Sequence, residues 1–291
     1  MQRHGWRAYA LPVLVVITVL ALFTTTSPHT VRRVLGQGDA KTTAPGGPPN
    51  AASNQQLKSD DPGAGALNSV LPALQLPPGP KYTTAGTGAF ATIPGSSKPF
   101  GNPHGQLRRF SIEVESGVTG VDLKQFASIV MTTLQDKRSW IRSGQWQLQR
   151  VDSGAVDFHI GLTSSMTVRT LCGYDQPVET SCFTAANGNR VVLNVARWVR
   201  GAKAYLSDLA TYRVYAVNHE VGHALQHNHS HECLANGMAP VMMQQTIGTK
   251  MAGGKICQPN PWPYPVGAKD APGPEEPGGD ADLQFFNLNS H

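Results

Sequence analysis

The chain has 291 residues, 40% of them hydrophobic and 15% charged, with a formal net charge of +5. That length accommodates one ordinary domain with tails. No Gly-X-Y period is present, which excludes collagen; the single long apolar run excludes a multi-span membrane protein, and the lack of a dense Lys/Arg stripe argues against a nucleic-acid partner.

Residues 8–23 are apolar or nearly so, with Thr18 the one polar residue, and Arg3 and Arg7 precede them. A positive flank before an apolar run marks an export or anchor segment. Residues 1–26 are therefore expected to be a cytoplasmic N-terminus with a transmembrane anchor or signal segment. The rest of the chain would lie outside the cytoplasm, anchored by a single pass, or secreted if the segment is cleaved. Residues 36–100 hold 10 Gly and 10 Pro, a composition that reads as disordered. Residues 27–100 are accordingly expected to be a flexible stalk.

From about 105 the pattern changes. Phe110, Ile112 and Val114 alternate with Ser111, Glu113 and Glu115, as in a half-buried strand whose polar face, carrying both carboxylates, meets solvent. Asp122 and Gln125 form a capping box ahead of Leu123, Phe126, Val130 and Leu134 at helical spacing. Trp146 and Leu148 suggest a second strand. Val156, Phe158, Ile160 and Leu162 suggest a third, with His159 on its solvated face. A Cys-bounded loop spans 172–182, residues 190–196 read as a fourth strand, and a helix runs from about 208 into the mid-220s. The fold class expected is α+β, one domain over 101–265 with a mixed sheet and two main helices, followed by an acidic disordered tail, 266–291. The four cysteines suit an exported chain, and the local pairings Cys172–Cys182 and Cys233–Cys257 are favoured over Cys233 as a metal ligand.

The second helix carries HExxH as His219, Glu220 and His223. Four residues make about one turn, so both imidazoles leave one face and can share a Zn²⁺, while Glu220 reaches toward water. His229 follows ten residues after His219, where the chain can turn back and supply a third nitrogen. His231, His227 and Glu232 are the competing third ligands. His227 would lie about 12 Å from His219 if the helix continued, too far for one ion. Downstream, Met242 and Met243 lie in APVMMQQT; outside such a context they would read as core gap-fillers. Trp140, Trp146, Trp198 and Trp262 read as packing anchors.

The spacing HExxHxxxxxH with a Met-turn-like segment resembles the metzincin clan of zinc metallopeptidases. The stretches DKRSW (136–140), NHEVGHALQH (218–227), APVMMQQT (239–246) and CQPNPWP (257–263) resemble an actinobacterial family of exported zincin-like domains of unknown function. The resemblance covers roughly 100–265. It implies a metzincin-like domain, a Met-turn at Met242 or Met243, and a strand beside the cleft that binds extended peptide, for which residues 190–196 are the candidate. One departure stands out. Metzincins carry Gly where this chain has Gln226, because the turn toward the third ligand needs a positive φ, and Asn228 is the candidate to take that conformation instead.

The expected function is extracytoplasmic hydrolysis of peptide bonds, with Zn²⁺ on His219, His223 and His229 and with Glu220 as general base. The substrate would be a peptide or protein. A zinc-stabilised, non-catalytic cell-envelope binding domain and an amidase acting on cell-wall peptides are the alternatives.

Overall fold

The computed structural model describes residues 74–174, 179–186 and 188–265. The expected anchor or signal segment, residues 27–73 of the stalk and the tail 266–291 lie outside the described residues. Among the described residues no helix is long and apolar enough to cross a membrane.

Seven strands form one mixed sheet: β1 (Phe90–Thr92), β2 (Phe100–Gly101), β3 (Gln106–Glu115), β4 (Trp146–Arg150), β5 (Phe158–Thr163), β6 (Cys182–Thr184) and β7 (Arg190–Asn194). Their order is β2-β4-β3-β5-β7-β6, with β1 pairing with β3 off that path. The central four, β4, β3, β5 and β7, run parallel. β2 and β6 are antiparallel to their neighbours at the two ends. Four α-helices are described: α1 (Leu123–Gln135), α2 (Ser165–Cys172), α3 (Val195–Arg200) and α4 (Leu209–Ala224). The fold is thus mixed α/β, with the two expected main helices present as α1 and α4.

The core follows from period-two strands meeting period-3.6 helices. Phe110 and Ile112 of β3, Leu148 of β4, Ile160 and Leu162 of β5, and Val191 and Leu193 of β7 form one buried face. Against it pack Phe126, Val130 and Leu134 of α1 and Val217 and Val221 of α4. The Asp122 carboxylate starts α1, accepting from the N–H groups of Lys124 and Gln125 at 2.9 and 3.0 Å. Asp208 starts α4, accepting from Thr211 N–H at 3.0 Å. α4 is buried continuously from Tyr215 to Gly222, because the C-terminal loops cover the side that faces away from the sheet.

The structure departs from three of the expectations drawn from the sequence. The first is the stalk boundary at 100. Residues 74–100 pack on the domain and supply β1. Leu74 is buried, and the buried Arg197 guanidinium donates to its carbonyl at 2.6 Å. Arg200 likewise donates to the Pro80 carbonyl at 2.8 Å. Glycine here serves close packing: a side chain at Gly86 would come within 2.3 Å of the Glu115 carboxylate.

The second correction follows from the first. The polar face of β3 is covered, not solvated. Glu115 is buried and accepts from Gly88 N–H, Ser164 N–H and the Thr167 hydroxyl, at 2.8, 2.7 and 2.6 Å. Glu113 is buried beside Arg190, which forms an ion pair with its carboxylate. Phe90 of β1 lies over the Arg190 guanidinium at 4.0 Å. His159 Nδ1, expected in solvent, lies 2.7 Å from Glu113 Oε1.

The fourth strand also ends earlier than its apolar run suggests. Asn194 closes β7, and its side chain accepts from Ala196 N–H at 2.9 Å to open α3.

Candidate metal centre

The three histidines come from two pieces of chain. His219 and His223 sit one turn apart on α4. His229 returns on the loop that follows. That return begins with a two-bond helix stop. Gln226 N–H donates to His223 O at 2.9 Å, and His227 N–H donates to Gly222 O at 3.0 Å. The left-handed residue this stop requires is Gln226 itself, at φ +72°. The expectation that Asn228 would take that role is therefore wrong. The backbone needs the turn directly at the helix end, and Gln226 adopts it without the freedom of glycine.

The ring nitrogens converge. His223 Nε2 lies 3.0 Å from His229 Nε2, which lies 3.3 Å from His219 Nε2. A tetrahedral ion with bonds of about 2.05 Å sets nitrogens about 3.3 Å apart, so the spacing fits one shared cation. The tautomers fit too. His219 Nδ1–H donates to the Val241 carbonyl and His223 Nδ1–H donates to the His227 carbonyl, each at 2.8 Å. Both rings therefore present an Nε2 lone pair inward, as ligands require. Burial, with His223 and His229 adding to it, holds the His219 imidazole well below its ordinary pKa, so no proton has to be displaced from it. His219, His223 and His229 form a group able to hold a metal ion.

Glu220 follows His219 in α4 at 5% exposure, and burial raises its carboxyl to about 8. Its Oε2 is buried without a hydrogen-bond partner. Such an atom costs on the order of 1–3 kcal/mol.

The remaining candidates separate. Met242 is fully buried under α4, and a side chain at Gly222 would approach its sulfur to 2.5 Å. Met243 lies instead in a small separate cluster with Ala239 and Cys257. His227 stacks on Trp140, with ring centroids 4.2 Å apart. His231 and Glu232 are not members of the three-histidine group. Cys233 pairs with Cys257, and Cys172 with Cys182, as the local pairing expected. Residues 190–192 have no free edge for an added strand, because β7 is hydrogen-bonded there to β5 on one side and β6 on the other. The outer strand at this end is β6.

The reading of single residues missed the scaffold beneath the site. The Ser139 hydroxyl donates to Asn218 Oδ1 at 3.0 Å, and the Asn218 side-chain amide donates to the Pro261 carbonyl at 2.9 Å. The Gln245 side chain takes the Tyr205 hydroxyl at 2.8 Å and donates to the carbonyls of Pro240 and Asn260 at 3.0 and 2.8 Å. The Arg138 guanidinium lies 4.0 Å over the Trp262 ring. The available signal was collective: the four stretches that carried the family resemblance meet here.

No curated protein and no solved structure matches the chain. A family described as "Protein of unknown function (DUF3152)" matches residues 76–265. The match begins two residues after the first described residue, within the segment that covers the polar face of β3. Since it spans more than half of the chain, the protein belongs to the DUF3152 family.

Proposed function

We propose that this protein is an extracytoplasmic zinc-dependent peptidase of metzincin-like design. The observation that carries the reading is the buried, unpartnered carboxyl of Glu220, the residue next in sequence to one of three convergent histidines. A binding domain that merely used a metal for stability would have no need of that carboxyl, and would gain by replacing it.

His219, His223 and His229 would hold the ion. A bound Zn²⁺ supplies Lewis acidity there, polarising a substrate carbonyl and acidifying water toward a pKa of about 7. Glu220 takes the proton of the attacking water and hands it to the leaving amine. Burial lifts this carboxyl to about 8 in the metal-free protein, and the charge of a bound cation would bring it down toward the ionised form that takes the proton. Met242 supports α4 from below through its contact at Gly222. β6, the outer antiparallel strand next to β7, is the edge along which an extended peptide would lie. The two disulfides favour a location outside the cytoplasm, whether the chain is anchored or released.

Cleavage of an unbiased peptide library by the full chain tests the reading, with Glu220→Ala alongside. Cuts made by the natural protein and missing from the variant support a peptidase and report its subsites. If zinc-loaded protein cuts no library peptide but opens cell-wall cross-links, the amidase reading replaces it. If it does neither, the protein is a binding domain.

A further inference from the structure

Trp140 is buried in the core, and three of its contacts converge on the metal-bearing helix and the turn after it. Its indole N–H donates to the Asn218 carbonyl at 2.9 Å, one residue before His219. Its Cζ2 fills the space at Gly222, one residue before His223, where an added Cβ would approach to 2.6 Å. Its ring face stacks on His227 with centroids 4.2 Å apart and planes inclined by 21°.

The third contact has a chemical consequence. The His227 carbonyl accepts the Nδ1–H of His223. That bond selects the tautomer of His223 and aims its Nε2 at His229, 3.0 Å away. The carbonyl follows directly on Gln226, whose left-handed backbone is costly for a residue with a Cβ. Such a turn persists only if its surroundings hold it. The His227 N–H bond to Gly222 secures one side of the peptide unit, and the stacked ring secures the residue that carries the carbonyl.

We propose that Trp140 is a positioning residue of the metal centre. By clamping the His227 ring it holds the carbonyl that orients His223, so His227, which is not a ligand, sets metal affinity through its ring. This rests on the reading that His219, His223 and His229 hold the ion. Trp140 has no role in touching substrate.

Zinc affinity of the full chain, measured by competition with a chromophoric chelator, tests the proposal. Loss of an orienting partner behind a metal ligand weakens binding by roughly 10–100-fold. His227→Ala keeps the backbone carbonyl and removes the stacked ring, and should show that loss. His227→Phe restores a stacking ring without any ligand atom and should recover most of the affinity. Trp140→Leu should match His227→Ala. Trp198→Leu, a core change against Phe126, should lower the melting temperature and leave zinc affinity as it was. The His227 pair carries the test even where Trp140→Leu does not fold. Natural affinity in His227→Ala overturns the proposal. So does failure of His227→Phe to recover, since His227 would then act through its nitrogen. Should His219→Ala bind zinc as tightly as the natural protein, the metal-site reading itself fails, which is a separate result.

Discussion

At the scale of single residues, the site depends on groups held in costly states by their neighbours. Gln226 takes a left-handed conformation at φ +72° that glycine adopts freely. Gln226→Gly is therefore expected to raise stability by up to about 1 kcal/mol. A β-branched Gln226→Val should lower it by about 1–2 kcal/mol, and chemical denaturation measures both. Glu113 gives the clearest pH signature. Burial opposes its ionisation, but the Arg190 guanidinium, the Ser111 hydroxyl and the His159 ring outweigh burial and hold its pKa below the ordinary carboxylate value. A depressed folded pKa stabilises the fold above the unfolded value of about 4.5. That contribution disappears as pH falls through the lower folded value. Stability measured from pH 7 to 2 should therefore fall in the acid range. Glu113→Gln should flatten that part of the profile while lowering stability at pH 7 by about 3 kcal/mol, since Arg190 is left without its counter-charge.

At the scale of elements, the loop from α4 to residue 257 deserves the emphasis that sequence patterns usually give to helices. It supplies His229, both carbonyls that orient the other two histidines, and Met242. Ser230 N–H donates to the Met242 carbonyl at 3.1 Å, tying its two limbs together, and Cys233–Cys257 closes it. Replacing both of those cysteines by Ser should cost roughly 3 kcal/mol and speed zinc loss to a chelator. Replacing Cys172 and Cys182 should cost a similar amount in stability and leave zinc retention unchanged. The elements legible from sequence were those with a sustained period. β3, β5 and β7 alternate or run apolar, and α1 shows both its cap and its stripe. β1, β2 and β6 have three, two and three residues, too few for alternation to register. α3 was hidden because Val195 and Ala196 extend the apolar run of β7, and the break is marked only by the capping side chain of Asn194. His219, Glu220 and His223 were legible because a helix converts their spacing directly into a shared face. Trp140, Asn218 and Gln245 were not, because most of their partners lie 15 to 87 residues away and only the folded chain brings them together.

At the scale of the whole molecule, the domain begins well before its first long strand. Residues 86–90 pack on the charges of this sheet face, with Phe90 over the Arg190 guanidinium and Gly88 N–H on the Glu115 carboxylate, and a chain starting at 101 would lose those contacts. Such a truncated chain should be markedly less stable in denaturant unfolding, or insoluble, whereas one starting at 74 should unfold cooperatively. The other side of the sheet is covered by α1 and α4, and the C-terminal loops then close over α4 to form the metal centre. In the proposed function the histidines hold the ion and Glu220 moves the proton. Zinc content and peptide turnover measured together on Glu220→Ala test it most directly. The variant should retain one zinc per chain and lose turnover. Turnover at the natural rate, or loss of the zinc along with the carboxylate, would contradict it.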